Sequence, residues 1–216
     1  MRSDNILLST MKILIHPTYF PSISHFVAMI QADEICFEVE DNFQKQTNRN
    51  RMYIYSPNGK QILNIPVKHT KGIRQKFKDI ELDPYTDWQK QHFKSLEAAY
   101  RSSPYFEYFE DEFRQPVFEK KHRFMMDLNL QIHEILCSCL QIELPFVQSD
   151  EYHKIAPENV TDLRYLTDGK KDHNEFEPYM QVFEEKYGFI NNLSILDLLF
   201  NEGLHSLEYL KRQKIE

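Results

Sequence analysis

The sequence predicts an α/β protein, with an N-terminal βαβ opening, a small mixed sheet and a hairpin, followed by a mostly helical C-terminal half. Three observations predict it. An apolar run at 12–15 is followed by apolar residues at helical spacing over 22–32 and by strict alternation over 33–40. Asn58-Gly59 separates two strand-like runs, a strong hairpin signal. After Asp83-Pro84 the apolar residues recur at helical spacing almost to the end of the chain. We read 11–82 as an α/β ligand-binding part and 83–216 as a helical part packed on it, the two forming one continuous domain.

Each element has its own justification. In 22–32, Ile23, Phe26, Val27 and Ile30 share a helical face and Ser22 is placed to cap it. In 33–40, Ile35, Phe37 and Val39 alternate with Glu34, Cys36, Glu38 and Glu40, the period of a half-buried strand. The stretch 41–50, DNFQKQTNRN, is polar and is expected outside the core. Runs at 52–55 and 61–67 make the hairpin, with Pro66 marking an edge or a strand end. A basic loop over 68–78 precedes a short strand at 78–82. Helices are expected over 87–101, 105–118 and 123–140; in the first, Trp88, His92, Leu96 and Ala99 form one stripe. The polar stretch 146–175 reads as a long connection with little regular structure, a length that in a compact domain is often functional. Ser194-Ile195-Leu196-Asp197 reads as a capping box, and Gly203 as the end of the helix it opens.

Composition narrows the function. The 216 residues are 41 % apolar and 27 % charged, and no apolar run reaches the roughly 20 residues of a membrane span. The opening MRSDNILLST lacks the long apolar stretch of a secretory signal. Three cysteines, Cys36, Cys137 and Cys139, contain no CxxC pair and suit a reducing compartment. A cytoplasmic protein is expected. The net charge of -7 disfavours a nucleic-acid partner. That charge is unevenly spread, since 42–78 holds nine Lys or Arg and no Asp or Glu.

Two segments could hold the chemistry. The first is HPTYFPSISHF, residues 16–26, a proline-stiffened turn between a strand and a helix, at the end of a parallel sheet where ligands bind. His16 and His25 are the candidate acid–base groups there, and Tyr19 is a candidate stacking surface. Local backbone partners for the two histidines are the plainer alternative. The second is the acid-free segment, where Lys45, Arg49 and Arg51 suit phosphate or carboxylate and Asn50 would orient it; a solvated basic surface is the alternative. His92, on the apolar stripe, reads as a core histidine with a backbone partner. Glu38, Glu40 and Asp41 offer oxygens to a divalent cation, but read better as an exposed strand face, with Asp41 paired to Arg49 or Arg51. His69, His153 and His173 lack metal-ligand spacing, so no metal site is expected, and the sequence identifies no cofactor.

Two resemblances follow. HPTYFP with His25 is similar to the strand, turn and histidine of the nucleotidylyl-transferase superfamily, but Ser24 replaces the usual glycine and no second signature follows. Over most of the chain, His16-Pro17-Thr18-Tyr19-Phe20-Pro21, Ala32-Asp33, Lys45 to Arg51, Ile65-Pro66-Val67, Trp88 with His92, Ala99-Tyr100 and Asn192 to Asn201 resemble, in that order, the WbqC-like protein family. An aromatic residue often stands in that family where this chain has Asn48. The resemblance implies work on O-antigen or surface polysaccharide, as a transferase of glycine or another aminoacyl group to a nucleotide-activated amino sugar. The alternative is a non-catalytic protein of the same pathway that binds an anion, a glycan or a partner enzyme.

Overall fold

The computed structural model describes residues 10–68, 72 and 74–216. His69 and Lys71 of the basic loop, and the first nine residues, lie outside the described residues. The expected opening is present. Strand β1 (Lys12–Ile15) leads through helix α1 (Ile23–Gln31) to strand β2 (Glu34–Phe37), which pairs with β1 in parallel, Ile13 opposite Ile35 and Ile15 opposite Phe37. Those four side chains face the core and are almost fully buried.

Strands β3 (Arg51–Ser56) and β4 (Gly59–Asn64) form the hairpin as a separate two-stranded sheet. Gly59 begins β4 at φ +91°, a conformation that costs little without a Cβ. The strand expected at 78–82 is replaced by a 3-10 turn, Phe77–Asp79, and single bridges from Glu81 and Leu82. Helices α2 (Trp88–Tyr100), α3 (Phe106–Phe113) and α4 (Met125–Leu140) follow the predicted spacing. A π-helical stretch, Arg114–Glu119, extends α3 across Pro116, which has no N–H to give an α-helical ladder.

The long connection is corrected in substance. It contributes strands β5 (Phe146–Gln148) and β6 (Thr161–Asp162), and then a 3-10 helix, Arg164–Thr167. The parallel sheet runs β5-β2-β1-β6, so two of its four strands come from the 83–216 part. Strands of three and two residues are too short to show a period, which is why they escape sequence reading.

Helices α5 (Glu184–Tyr187), α6 (Ile195–Glu202) and α7 (Ser206–Arg212) close the chain, with α6 and α7 packed on α1. Ser194 caps α6 by accepting from Leu196 N–H, but only half of the expected capping box forms. Asp197 turns inward instead. Fully buried, it accepts hydrogen bonds from Tyr100 (2.7 Å), Tyr179 (2.6 Å) and Gln181 (2.9 Å). Burial pushes its carboxyl up to about 6, against the pull of those three donors. Gly203 ends the helix at φ +58°, and a Cβ there would meet the Tyr105 ring at 2.8 Å.

Candidate functional site

All four parallel strands point their carboxyl ends at one cleft of about 390 Å³. The chain leaves β1 toward β2 on one side, while β6 lies on the other, so the gap between β1 and β6 is a topological switch point. His16 follows β1, Asp41 follows β2, Tyr152 follows β5, and Arg164, Thr167, Asp168 and Lys171 follow β6. Backbone hydrogen bonds tie the walls together. Asn48 N–H donates to Thr167 O, Tyr19 N–H to Asn48 O, and the Asn129 side chain to the carbonyls of both Pro17 and Arg49.

The floor is a buried polar network. His16 Nε2 lies 3.1 Å from Asp41 Oδ2, and His16 Nδ1 lies 3.1 Å from Thr167 Oγ1. Arg49 Nη2 donates to Asp41 Oδ2 at 2.9 Å and stands 2.5 Å from His16 Nε2. Its guanidinium lies over the Phe77 ring. Only 2 % of Arg49 and 3 % of His16 is exposed. The polar stretch 41–50 is therefore not outside the core, because Asp41, Thr47, Asn48 and Arg49 are all buried. Charged side chains can be buried there because each meets a partner.

The electrostatics follow from that burial. Desolvation lowers the His16 pKa to about 4, helped by the Arg49 charge and opposed by the hydrogen bond to Asp41, so the ring is neutral near pH 7. Burial alone would raise Asp41, but its bond to His16 and the Arg49 charge outweigh this and hold the carboxyl below its ordinary range. Burial brings Arg49 down to about 10, still a cation.

Above the floor, Arg164 makes a two-pronged pair with Asp162, at 2.8 and 2.6 Å, and donates to the carbonyls of His153 and Lys154. It also faces Glu38 Oε2 at 3.5 Å. Glu38 is 1 % exposed and accepts from Ser149 and from Glu40 N–H, so the expected exposed acidic face is corrected at this position. Asp41 takes Arg49, not Arg51, as its partner. Among the described residues no group of His, Cys, Asp and Glu is arranged to hold a metal ion.

The predicted site residues are thus divided. His16 and Arg49 line the cleft together. His25 lies beneath it, 1 % exposed, donating from Nε2 to His16 O at 2.7 Å, and burial lowers its pKa to about 4. Tyr19 is fully buried against Phe20, Trp88 and His92, and its hydroxyl meets His92 Nδ1 at 2.9 Å, so its ring packs in the core. His92 also donates to Asn64 O, the backbone partner expected of it. Lys45 lines a separate groove of about 310 Å³ with Phe43, Lys68 and Arg74. Asn50 donates to Ile65 O, and Arg51 opens β3; neither lines the cleft.

Sequence reading missed Asp162, Arg164, Thr167, Asp168 and Lys171. Their one signal was the unusual length of the polar connection that carries them.

The model of the WbqC-like protein family matches residues 16–171. Those are also the first and last of the residues lining the cleft. The chain is similar to "Uncharacterized protein Rv1507c" of Mycobacterium tuberculosis (strain ATCC 25618 / H37Rv), with 25 % identity across 92 % of this chain and 96 % of the relative. No solved structure matches the chain.

Proposed function

The chain belongs to the WbqC-like protein family, and from its cleft we propose that it is a transferase that passes glycine or another aminoacyl group to a nucleotide-activated amino sugar. The observation that carries this reading is a neutral histidine held between a carboxylate and a hydroxyl at the switch point of a parallel sheet. The ligand class is supported by the lining. Arg49, Arg164 and Lys171 stand beside Asp41, Asp162 and Asp168, so a molecule carrying both an amine and a diphosphate meets partners of both signs.

In this reading Arg49 and Lys171 receive the diphosphate, and His16 takes the proton that the amine loses as its nitrogen attacks an activated carbonyl. The nitrogen–carbon bond forms, the bond to the leaving group breaks, and the leaving group departs with the electron pair. Tyr19 and His25 hold the floor from below. Lys45, Asn50 and Arg51 support the walls and the neighbouring groove.

The test supplies nucleotide diphosphate amino sugars with aminoacyl thioesters and looks for the amide by mass spectrometry. The wild type is expected to form it, and His16→Gln to bind the sugar nucleotide but lose turnover by about 100-fold or more. Tight binding with no amide from any donor would replace the transferase with a binding protein. Full turnover by His16→Gln would remove His16 from the chemistry.

A further inference from the structure

We propose that Thr167 is a nucleophile of the cleft, with His16 as its base and Asp41 orienting that base, so that acyl transfer passes through an ester on Thr167. The inference deepens the transferase reading and rests on it. The three groups stand in a row: Asp41 Oδ2 at 3.1 Å from one ring nitrogen of His16, and Thr167 Oγ1 at 3.1 Å from the other. This is the arrangement by which a weak hydroxyl is activated, a base within hydrogen-bond reach and a third group fixing the base.

Position supports the assignment. Thr167 lines the cleft although only 2 % of it is exposed, and its hydroxyl is held against the His16 ring in a nearly dry wall. It ends the 3-10 helix that follows β6, and its carbonyl is held by Asn48 N–H, which fixes the backbone from which the hydroxyl projects. Two tautomers of the His16 ring are compatible with these contacts. With the proton on Nδ1, Arg49 donates to Nε2 and Thr167 accepts. With the proton on Nε2, the ring donates to Asp41, and Nδ1 accepts from the Thr167 hydroxyl. In the second form Nε2 and Arg49 Nη2 both carry hydrogen and cannot keep their 2.5 Å contact, so Nη2 must swing off the ring while it holds Asp41 Oδ2.

The chemistry balances in two steps. Thr167 Oγ attacks the carbonyl of an aminoacyl thioester or a similarly activated donor, its proton passes to His16 Nδ1, and the leaving group departs with the bonding pair and collects that proton. The amine of the acceptor then attacks the ester and gives its proton to His16. The carbonyl–Oγ bond breaks, and Thr167 recovers a proton as the amide leaves. No oxidant or reductant is involved.

The test uses the 4-nitrophenyl ester of N-acetylglycine, without acceptor, on the full chain. Wild type and Thr167→Ser are expected to release a burst of nitrophenolate and to gain one acyl group, which peptide mapping places on residue 167 and hydroxylamine removes. Thr167→Val, which keeps the shape of the side chain, should show no burst and should lose amide formation by about 100-fold or more. Amide formation by Thr167→Val at the wild-type rate would overturn the nucleophile and leave the transferase reading standing. An adduct only on other residues would also overturn the nucleophile. Neither adduct nor amide from any donor would overturn both.

Discussion

His16 and Thr167 are 151 residues apart in sequence and 3.1 Å apart in the cleft, ring nitrogen against hydroxyl. The contact joins the loop after β1 to the turn after β6, one of the two outer strands of the sheet. The cleft therefore exists only when the C-terminal part of the sheet has formed.

The buried pair between Asp41 and Arg49 should be costly to break. Asp41→Asn leaves a nearly buried guanidinium without its counter-charge, and a loss of about 3 kcal/mol is expected from urea unfolding. A loss under about 1 kcal/mol would mean that the pair is far more hydrated than its burial implies.

Acid should unfold the chain. His16, His25 and His92 have pKa values lowered to about 4 by burial, against an ordinary 6.5. Between those values the unfolded chain binds more protons, so the stability they contribute is present above pH 6.5 and lost as pH falls toward 4. Each removes up to about 3 kcal/mol, and Asp197, with its raised pKa, opposes them by a similar amount. Three groups outweigh one. Circular dichroism should find the unfolding transition inside this window, and a chain fully folded at pH 4 would contradict the assignment.

Tyr19 belongs to the core and not to the cleft. Tyr19→Phe leaves His92 Nδ1 without its hydroxyl partner and should lower stability by about 1–2 kcal/mol with ligand affinity unchanged. A tenfold or greater loss of affinity, about 1.4 kcal/mol, would return the ring to the binding surface.

Arg164 anchors the connection between β5 and β6 through the carbonyls of His153 and Lys154. Arg164→Met should speed amide hydrogen exchange across residues 150–158 while leaving α1 and α4 protected. Unchanged exchange in that stretch would show that other contacts hold it.

How much of this was legible follows from the lengths involved. α1, α2 and α4 run for two to four turns, long enough for an apolar face to declare itself, and Lys12–Ile15 stood out as an apolar run before a stiff turn. β5 and β6, spelled FVQ and TD, have no room for a pattern and take their identity from the strands beside them. The site divides the same way. His16 was visible because it directly follows a strand, and Arg49 because no acid surrounds it in sequence. Burial of Arg49 was invisible, since it depends on Asp41, Phe77 and a wall that arrives more than a hundred residues later. Lys45 and Arg51 share its segment but not its cleft, because an irregular chain sends successive side chains in different directions.

In the proposed function the cleft, and not the basic segment as a whole, binds the sugar nucleotide. The most direct measurement is thermal unfolding with nucleotide diphosphate amino sugars, comparing wild type, Lys171→Ala in the cleft and Lys45→Ala in the neighbouring groove. Ligand at about 100 times its dissociation constant should stabilise the wild type by about 2.7 kcal/mol. Lys45→Ala is expected to keep that gain and Lys171→Ala to lose most of it. The reverse pattern, or no stabilisation by any member of the class, would rule out the cleft as the binding site.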